Sequence, residues 1–402
     1  MAVNTDENKI KEVLTRGVVE VIDQNHLEKR MLSGEKLRIK FGIDPTNPDL
    51  HVGHGSTIKK LREFQDLGHQ IVLIIGDGTA RIGDTSDKVT GRETLSTEEI
   101  SENKEKYLNQ VSKILNIDDV EVRYNNEWID KFDTGMWIGL ASLFTLQQMI
   151  ERENYAERIK NGDPVGLQEA LYPLMQGYDS VEIKADVEIG GTDQLFNLLA
   201  GRKIQKHFAQ EQQDVLTLQL LAGTDGRKMS KSWDNVIMVN EVPEEKYGKI
   251  MRIPDQLIPV YMESATDIPI DRVNEVASAL ENEEGNPIDF KKELALALVE
   301  LYDGKEAAEK AQAHFEKTVQ GNEVPAEVPS VEVGAGEMEL KEFLAILIKA
   351  NLIKSKSEGM RLVREGAVSI DGSSINETGK VSISKNAVVK VGKRRFLKLI
   401  IN

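Results

Sequence analysis

Two histidines three residues apart, His51 and His54, stand in the string FGIDPTNPDLHVGHGST, directly after a stretch that predicts a strand. Residues three apart lie on one side of a helix, and the first turn of a helix offers free N–H groups and the positive end of its dipole to an anion. Gly53 between them carries no side chain, so a bulky ligand could approach the backbone. The string therefore fits a site for a phosphate or a nucleotide base. The alternatives are a capping turn with two incidental histidines and a zinc site, for which no third ligand is evident.

A second string that could do chemistry, AGTDGRKMSKSWDN, combines lysines with hydroxyl groups. Two lysines three apart, interleaved with hydroxyls, could hold a polyphosphate and close over it. Gly223 and Gly226 precede the basic part and favour a mobile loop. An exposed basic loop without a ligand is the alternative. The residues concerned are Lys228, Met229, Ser230, Lys231 and Ser232.

Three further strings carry polar side chains suited to a small substrate. In LYPLMQGYDS, spacings of four and three put Tyr172, Gln176 and Asp179 on one face of a helix. The alternative for this helix is a buried polar face with protein partners of its own. The other polar residues lie in the turn EIGGTDQLFN and the loop IGDTSDK, namely Gly191, Thr192, Asp193 and Gln194 in the turn and Asp84 in the loop.

The elements that must position these strings alternate between strands and helices. Gly68 fits a C-terminal helix cap, and Ser96 followed by Glu99 fits a capping box. The alternation predicts an α/β fold with a parallel sheet and helices on both faces. Apolar runs predict strands at 36–43, 70–77, 120–126 and 185–191, and helical spacing predicts helices at 53–67, 97–115 and 192–208.

Interruptions of this alternation predict the domain organisation of the 402-residue chain. The α/β domain covers 1–240 and contains a mostly helical insertion at about 127–180. A helical domain covers 241–320. A linker with two prolines and few large apolar residues covers 321–337, and a compact segment covers 338–402.

The charge is distributed unevenly along the chain. The net charge is −16, but the segment from Lys341 onward has 13 Lys and Arg against 5 Asp and Glu, a net charge of +8. The first 340 residues therefore carry −24. An acidic body with a basic tail suggests that the tail meets a polyanion, and a solvated basic surface is the alternative.

Composition excludes several classes of site and protein. No stretch approaches the roughly 18 apolar residues that a membrane helix needs, and the polar N-terminus lacks the apolar run of a signal peptide. Both features favour a cytoplasmic protein without a membrane partner. The chain has no cysteine, which excludes disulfides, thiolate zinc sites and cysteine nucleophiles. No dedicated metal site is evident.

The two basic strings together resemble the class I aminoacyl-tRNA synthetases. In that class, HxGH opens a Rossmann-type parallel-sheet domain and KMSKS follows its last strand, and HVGH and KMSKS stand here in that order. The strings around Asp84, 172–179 and 191–194 are similar to those of bacterial tyrosyl-tRNA synthetases.

Other segments extend this resemblance over most of the chain. The stretch EWIDKF and the helix after it resemble the region where this family pairs two subunits. The stretch GNPIDFKKELALALVELYDG resembles the family's helical, anticodon-side domain. The stretch LIKSKSEGMRLVREGAVSIDGSSI resembles the small α+β RNA-binding fold named for ribosomal protein S-four, which accounts for the basic tail.

The resemblance implies a two-step reaction. Tyrosine would be activated with ATP to tyrosyl-adenylate and pyrophosphate, and the tyrosyl group would then move to the 3′ end of tRNA(Tyr). The enzyme would be a homodimer, and Mg²⁺ would arrive with ATP.

The same resemblance implies roles for individual residues. Catalysis would fall to His51, His54, Lys228 and Lys231. ATP would be bound by Pro45, Thr46, His51, Gly53, His54, Gly191, Asp193, Gln194, Lys228, Met229, Ser230, Lys231 and Ser232. Tyrosine would be bound by Gly42, Asp44, Asp84, Tyr172, Gln176, Asp179 and Gln194. Lys88 and Arg92 would contact pyrophosphate or the tRNA end, and tRNA would be bound by Lys354, Ser355, Lys356, Arg361 and Arg364.

Within the tyrosine site, the resemblance gives each side chain a part of the substrate. Tyr172, Gln176 and Asp84 would meet its ammonium group, and Asp179 would bond its phenolic hydroxyl. Lys40 stands where many members of the family have a tyrosine that also contacts this hydroxyl. An alternative for Asp179 is therefore a structural ion pair with Lys40.

A second departure from the family's pattern lies in the loop at 83–88, which reads GDTSDK where the family usually has GDP[ST]GK. Its shape is expected to differ, since the proline and glycine are missing. Two competing functions remain. A tryptophanyl-type synthetase is opposed by the strings at 172–179 and by the basic tail, and an RNA-binding relative without catalysis is opposed by the intact HVGH and KMSKS.

Overall fold

The computed structural model describes residues 2–45, 49–82, 105–150, 153–230, 233–320, 328–334, 336–371, 373–375, 380–383, 387–392 and 395–401. The chain divides into two compact units, Met1–Ala308 and Glu309–Asn402.

Six strands form one sheet in the first unit. They are β1 (Val18–Ile22), β2 (Arg38–Ile43), β3 (Gln70–Ile75), β4 (Glu121–Tyr124), β5 (Val187–Gly191) and β6 (Asp214–Leu218). Their order across the sheet is β1-β6-β5-β2-β3-β4, and every neighbouring pair is parallel except β1 with β6. The predicted α/β fold with a parallel sheet is confirmed, and the four predicted strands are β2 to β5.

The strand order reverses between β2 and β5, because the chain builds outward from β2 through β3 to β4 and returns to the other side through β5 and β6. In a sheet of this kind, ligands bind in the crevice outside the carboxyl ends of the strands at this reversal. The string HVGH follows β2, and the string GGTDQ covers the end of β5 and the turn after it. The fold therefore brings together two segments that are about 140 residues apart in sequence.

The α-helices described up to residue 320 precede, separate and follow these strands along the chain, and the last of them crosses the division between the two units. They are α1 (Glu7–Thr15), α2 (Gln24–Leu32), α3 (Val52–Asp66), α4 (105–111), α5 (Asn126–Ile129), α6 (Thr134–Ser142), α7 (Leu146–Ile150), α8 (Glu153–Asn161), α9 (Tyr172–Glu182), α10 (Leu195–His207), α11 (Pro243–Ile250), α12 (Ile258–Ala265), α13 (Ile270–Glu281), α14 (Pro287–Asp303) and α15 (Lys305–Phe315). The helices α5 to α9 form the interruption before β5. The helix predicted at 97–115 is described only over α4, and the capping box at Ser96 lies outside the described residues.

Local chemistry explains the elements that carry the site. The apolar run 71–75 in β3 is at most 1% exposed at every residue, as expected for a parallel strand covered on both faces. The helix α3 ends at Asp66 with Leu67 as its C-cap, and Gly68 follows with a φ of +91°, in the left-handed region that favours glycine. The predicted cap at Gly68 is therefore confirmed.

The second unit is a small α+β arrangement. Its helices are α16 (Leu340–Lys349) and α17 (Lys356–Arg364), and its strands are β7 (Ser330–Val333), β8 (Gly336–Glu339), β9 (Val368–Ile370), β10 (Ser373–Ser374), β11 (Lys380–Ile383), β12 (Val388–Val391) and β13 (Arg395–Ile401). Five strands form a sheet in the order β10-β9-β12-β13-β7, and β11 pairs with β8. The cluster of buried apolar side chains between these strands and helices includes Phe343, Leu347 and Leu397, each 0% exposed.

Residues 330–333, which the composition placed in the linker at 321–337, form the strand β7 and pair in parallel with β13. The stretch has few large apolar residues because a strand needs them on one face only, and Val331 and Val333 supply that alternation. The range 321–337 predicted as a linker therefore includes residues of a strand. Among the helices of the described residues, none is both long and apolar enough to cross a membrane.

Candidate active site

Asp44 follows β2 at the point where the strand order reverses, and its carboxylate is held from two sides. Oδ1 accepts a hydrogen bond from the Thr79 hydroxyl at 2.7 Å, and Oδ2 accepts one from the Tyr172 hydroxyl at 3.0 Å. A Cβ at Gly76 would lie 2.1 Å from this Oδ1 and 2.3 Å from Thr79 Oγ1. A residue without a side chain is therefore needed where β3 ends.

Asp179 is buried in the same crevice wall, with 2% of its surface exposed. Its Oδ1 accepts from Trp128 Nε1 at 2.8 Å, and its Oδ2 accepts from Asn125 Nδ2 at 3.3 Å. Asn125 Nδ2 also donates to Thr79 Oγ1 at 3.1 Å. A continuous chain of hydrogen bonds therefore joins Asp44 to Asp179.

Burial raises the pKa of the Asp179 carboxyl to about 7, and the positive charge of Lys40 and the bonds from Trp128 and Asn125 oppose this rise. A carboxyl group with such a pKa takes up or releases a proton near neutral pH. An added hydrogen-bond donor would favour its ionised form. A buried carboxylate with spare acceptor capacity at a ligand crevice is a recognised mark of a functional site.

The two histidines of HVGH begin the helix α3. His51 is its N-cap, and its Nδ1 accepts from the Gly53 N–H at 3.1 Å. His54 Nδ1 accepts from the His51 N–H at 3.3 Å, and the two ring centroids lie 3.9 Å apart. A neutral imidazole that accepts at Nδ1 carries its hydrogen on Nε2, so both rings can donate from Nε2 to an anionic oxygen. The two histidines therefore form the capping turn of α3, and in the same arrangement their Nε2 atoms can donate to an anion.

Gly53, between the two histidines, is partly exposed and lies against the ring of the capping residue. A Cβ there would lie 2.9 Å from the His51 ring and 3.8 Å from Met229 Sδ. The glycine therefore accommodates the ring of its own capping residue. This result also shows that Met229 of the KMSKS string approaches the HVGH turn.

Backbone hydrogen bonds join the segments that carry the two strings. Val52 N–H donates to the Ile237 carbonyl at 2.9 Å, and Val239 N–H donates to the Leu50 carbonyl at 2.8 Å. His51 and Met238 are antiparallel bridge partners between these bonds. The loop at 223–230 is therefore anchored at its carboxyl side to the start of α3.

Asn235 organises this loop from a buried position with 1% exposure. Its Oδ1 accepts from the Ser230 N–H at 2.8 Å, and its Nδ2 donates to the Lys228 carbonyl at 3.0 Å and to Asp225 Oδ1 at 2.8 Å. A Cβ at Gly223 would lie 2.6 Å from the Asn235 side chain. Gly223, which was predicted to favour a mobile loop, lets the loop backbone lie close to the Asn235 side chain.

Lys228 bridges from this loop to the turn after β5. Its Nζ lies 3.1 Å from Asp193 Oδ2, and the two side chains are 47% and 24% exposed. Gln194, in the same turn, accepts from Asn197 Nδ2 at 3.0 Å. Gly226 has a φ of +83° and forms the turn that reverses the loop before Lys228.

Lys40 pairs with Glu188 and not with Asp179. Its Nζ lies 2.9 Å from Glu188 Oε1, and the two side chains are 0% and 1% exposed. Gln176 Nε2 donates to the same Oε1 at 3.2 Å. The alternative of a structural Lys40–Asp179 ion pair is therefore wrong, because Glu188 on the neighbouring strand takes that place.

The remaining predicted residues of this site fall into two groups. Gly42 is exposed at the end of β2 with nothing within 4 Å of a Cβ built on it, so its backbone faces open space, and Pro45 is buried beside it. Several predicted residues lie outside the described residues, namely Thr46, Asp84, Lys88, Arg92, Lys231 and Ser232.

The predicted tRNA contacts in the second unit all have exposed side chains around the start and outer face of α17, namely Lys354, Ser355, Lys356, Arg361 and Arg364. Ser355 is the N-cap of α17 and accepts from the Glu358 N–H at 3.2 Å, while Glu358 Oε2 accepts from the Lys354 N–H at 2.6 Å. Arg361 lies 2.8 Å from Glu365. The reciprocal cap holds the basic start of the helix in place.

Sequence reasoning missed several residues that build the site, namely Thr79, Trp128, Ser180, Glu188 and Asn235. It also missed Asn125, although Asn125 directly follows β4 and could have been found from the rule that strand carboxyl ends share one edge. The others gave no local signal. In the described parts of the chain, no group of three or more His, Asp or Glu side chains is arranged to hold a metal ion.

Comparison with known proteins shows the family of the chain. The family model described as tRNA synthetases class I (W and Y) matches residues 32–320. The chain is 47% identical over 398 residues to a tyrosine–tRNA ligase of Thermotoga maritima, covering 98% of each chain. It is 44% identical to a tyrosine–tRNA ligase of Dehalococcoides mccartyi, covering 99% of this chain and 100% of that one.

Solved structures show the same fold at low identity. A tyrosyl-tRNA synthetase from Archaeoglobus fulgidus, complexed with L-tyrosine, matches with a TM-score of 0.62 at 23% identity and covers 76% of this chain and 100% of that one. A truncated mitochondrial tyrosyl-tRNA synthetase from Aspergillus nidulans matches with a TM-score of 0.64 at 22% identity, covering 77% and 93%. From the family model and the full-length relatives, the chain belongs to the class I tRNA synthetases (W and Y), in the tyrosyl-tRNA synthetase family.

Proposed function

We propose that this chain is a tyrosine–tRNA ligase that activates tyrosine with ATP and then transfers it to the 3′ end of tRNA(Tyr). The observation that carries the proposal is the buried Asp179 carboxylate, held by two fixed donors at the carboxyl edge of the sheet. Such a carboxylate can accept a further bond from a phenolic hydroxyl, and a pocket built in this way rejects a side chain without the hydroxyl. The full-length relatives named tyrosine–tRNA ligase support the same substrate.

The other end of the substrate would meet the acceptors nearer the strand reversal. Tyr172 and Gln176 precede Asp179 by seven and three residues on α9, so they lie one to two helical turns from it. Their oxygen atoms can accept from the ammonium group, with Asp84 as a further acceptor. Asp44 fixes Tyr172 for this role through the bond at 3.0 Å. Gly42 and Gln194 would complete the tyrosine site.

ATP would occupy the crevice between the HVGH turn and the loop at 223–232. Donors at His51 and His54 would bond the α-phosphate region, and Lys228 and Lys231 would neutralise the departing pyrophosphate. The remaining contacts to ATP are proposed for Pro45, Thr46, Gly53, Gly191, Asp193, Gln194, Met229, Ser230 and Ser232, with Lys88 and Arg92 meeting pyrophosphate or the tRNA end. Mg²⁺ would enter with ATP, since phosphate oxygens are among its usual ligands.

The chemistry needs positioning and charge neutralisation more than proton transfer. A carboxylate oxygen of tyrosine attacks the α-phosphorus, the bond from that phosphorus to the bridging oxygen breaks, and pyrophosphate leaves with the electron pair. A ribose hydroxyl of the terminal tRNA adenosine then attacks the carbonyl carbon of the adenylate and expels AMP. Donors placed beforehand around the developing charge lower both barriers. Because the product serves protein synthesis, we propose the cytoplasm as the place of action.

The test of the proposed function is ATP–pyrophosphate exchange with each of the 20 amino acids. Tyrosine should support exchange, and phenylalanine should be a poor substrate because it leaves the acceptor at Asp179 without a donor. The purified chain should then form tyrosyl-tRNA from tRNA(Tyr). Exchange with tryptophan at a rate comparable to tyrosine would contradict the proposal.

We also propose that two copies of the chain pair through the helical insertion. Its helices and connecting turns expose large apolar side chains, including Ile138 and Leu146, each 65% exposed, and Leu167, 81% exposed. Burying exposed apolar side chains such as these against a second copy would remove them from water. The molar mass in solution, measured by light scattering, tests this pairing.

The second unit is proposed to bind tRNA through the basic side chains at α17, in the manner of the RNA-binding fold named for ribosomal protein S-four. Their exposure and the net charge of +8 beyond Lys341 support this role. A chain that ends at Gln320 should keep tyrosine-dependent exchange and lose tRNA affinity, because the phosphate contacts are removed. The logarithm of the remaining affinity should also depend less steeply on salt, by about one unit of slope for each lost contact.

A matched control for this truncation is the full-length chain with Lys354, Lys356, Arg361 and Arg364 changed to Gln. It should show the same loss of affinity and flatter salt dependence while keeping the fold of the second unit. Filter binding at several salt concentrations measures both. If the truncated chain binds tRNA as tightly as the full-length chain, the second unit is not the RNA contact.

A further inference from the structure

Lys40 and Glu188 face each other across the two strands between which the strand order reverses. They are register partners in β2 and β5, and both side chains are essentially without solvent contact. Removing two charges from water is unfavourable unless good geometry and further hydrogen bonds compensate. The contacts of the two charged groups therefore show what compensates the cost of burying them.

The Lys40 ammonium group is fully engaged. Its Nζ lies 2.7 Å from the Gln176 carbonyl oxygen, 2.8 Å from Ser180 Oγ and 2.9 Å from Glu188 Oε1. An ammonium group has three N–H donors, and these three acceptors use all of them. Lys40 therefore has no donor left for the hydroxyl of a substrate.

The Glu188 carboxylate collects donors from three further directions. Its Oε1 accepts from Gln176 Nε2 at 3.2 Å, and its Oε2 accepts from Ser180 Oγ at 3.2 Å and also from Gln213 Nε2. The helix α10 closes over the cluster at Gly201, where a Cβ would lie 2.5 Å from Gln213 Nε2 and 3.2 Å from Glu188 Oε2. The Glu188 carboxylate is therefore enclosed by its hydrogen-bond donors and by the backbone of α10.

The Lys40–Glu188 pair holds Gln176 at two points. Its backbone carbonyl is held by Lys40, and its side-chain Nε2 is held by Glu188, so both ends of the residue are bonded to the same ion pair. A side-chain amide that gives its nitrogen to a carboxylate is left with Oε1 to accept from another donor. A substrate ammonium group is such a donor.

We propose that the Lys40–Glu188 pair is a positioning device that orients Gln176 toward the ammonium group of the amino-acid substrate and does not contact the substrate's hydroxyl. This inference rests on the proposed tyrosine activity. The pair thereby sets the affinity for the amino acid and leaves the choice between tyrosine and phenylalanine to Asp179. Lys40 is then no substitute for the hydroxyl-contacting tyrosine that many relatives of this family carry at that position.

The test is a pair of variants measured in ATP–pyrophosphate exchange. In Lys40→Met/Glu188→Gln both charges are removed together, so no buried ion is left unpaired and the fold should persist. The KM for tyrosine should rise about tenfold, the loss expected when a charge-assisted bond that orients a ligand contact becomes a neutral one. The kcat should stay within about threefold, because the ammonium contact exists in both the ground state and the transition state.

Phenylalanine separates positioning from direct contact. Its KM should rise by the same factor as that of tyrosine, since both substrates carry the ammonium group. A selective loss for tyrosine that persists at high pH, where Asp179 is ionised even without the charge of Lys40, would overturn the proposal, because it would show that Lys40 reads the hydroxyl. A folded double variant with the unchanged KM for tyrosine would overturn it too, because the pair would then be only structural.

Glu188→Asp alone serves if the double variant does not fold. The shorter side chain keeps the charge that compensates Lys40 but draws the carboxylate away from Gln176 Nε2, so the KM should rise for both amino acids. An unchanged KM in this folded variant would contradict the proposal.

The matched control is Lys59→Met/Lys60→Met/Glu63→Gln, which removes two other buried lysines together with the carboxylate that they share. Lys60 is 4% exposed, pairs with Glu63 and bonds the Val13 carbonyl at 2.8 Å on the α1 side of α3. This control should change thermal stability without changing the KM for tyrosine. If the unaltered chain fails to exchange with tyrosine, the proposed function fails. If it exchanges and the variants behave as the control does, only the positioning role fails.

Discussion

An Asp179→Asn variant should lose roughly 10- to 150-fold of its preference for tyrosine over phenylalanine, the range for removing a charged partner from one hydrogen bond. The carboxylate lies 2.8 Å from Trp128 Nε1 and 3.3 Å from Asn125 Nδ2, and its remaining capacity would serve the substrate's hydroxyl. An intact preference of about 10⁵-fold is the value known for tyrosyl-tRNA synthetases as a family and not a result of this structure. The ratio of kcat/KM for the two amino acids measures the loss.

The matched control is Asp214→Asn on β6, which alters a carboxylate that is likewise buried, at 0% exposure, but is bonded to His26 at 3.0 Å. Both variants should lose stability, because an amide has one acceptor oxygen where a carboxylate has two. Only the change at Asp179 should alter the preference between the two amino acids. If Asp179→Asn keeps its full preference and loses thermal stability alone, another group reads the hydroxyl.

The pH dependence of tyrosine binding is a second measurement of the same contact. Burial raises the pKa of Asp179 to about 7, so the unliganded carboxyl holds a proton below that pH. A phenolic donor favours the ionised form, so binding must release this proton, and the Kd for tyrosine should rise up to about tenfold per unit as the pH falls below about 7. Phenylalanine, and tyrosine with the Asp179→Asn variant, should show no such rise.

A Lys228→Ala variant should form tyrosyl-adenylate about 10²–10³ times more slowly, the loss typical when one donor to developing charge is removed. Its ammonium group lies 3.1 Å from Asp193 in a half-exposed position, where it can exchange this partner for a phosphate. The KM for tyrosine should stay within about threefold, because pyrophosphate carries the charge that the lysine meets. Single-turnover kinetics of adenylate formation give the rate.

Two further variants complete this measurement. Lys231→Ala should behave like Lys228→Ala, although Lys231 lies outside the described residues. Lys29→Ala removes an exposed lysine on α2 and should leave the rate unchanged. If the rate of Lys228→Ala stays within about threefold of the unaltered chain, Lys228 is only a surface lysine.

Local patterns were sufficient for the elements of the fold. The apolar run 71–75 predicts a strand buried on both faces because such a strand has no polar face, and Gly68 predicts a helix end because the left-handed region favours glycine. Patterns of this kind depend on residues that are close together in the sequence, so they can be recognised without the tertiary structure. The neighbouring strands β1 and β6 were not predicted, and β7 was placed in a linker, since its two valines mark only one face.

The site divides in the same way. His51, Asp179 and Lys228 could be found from their spacing and from the family that they resemble. The partners of these residues could not, because they come from distant segments: Asp179 accepts from Trp128, 51 residues away in sequence, and Lys228 meets Asp193, 35 residues away.

The case of Lys40 separates the two sources of information most clearly. Its position in β2 follows from the sequence, and so does the prediction that a buried lysine needs a carboxylate. The sheet determines that Lys40 pairs with Glu188 and not with Asp179, because β5 lies directly beside β2 and brings Glu188 into register with Lys40. Sequence spacing determines which face of one element a side chain occupies. Only the packing of elements against each other determines which charges are buried together.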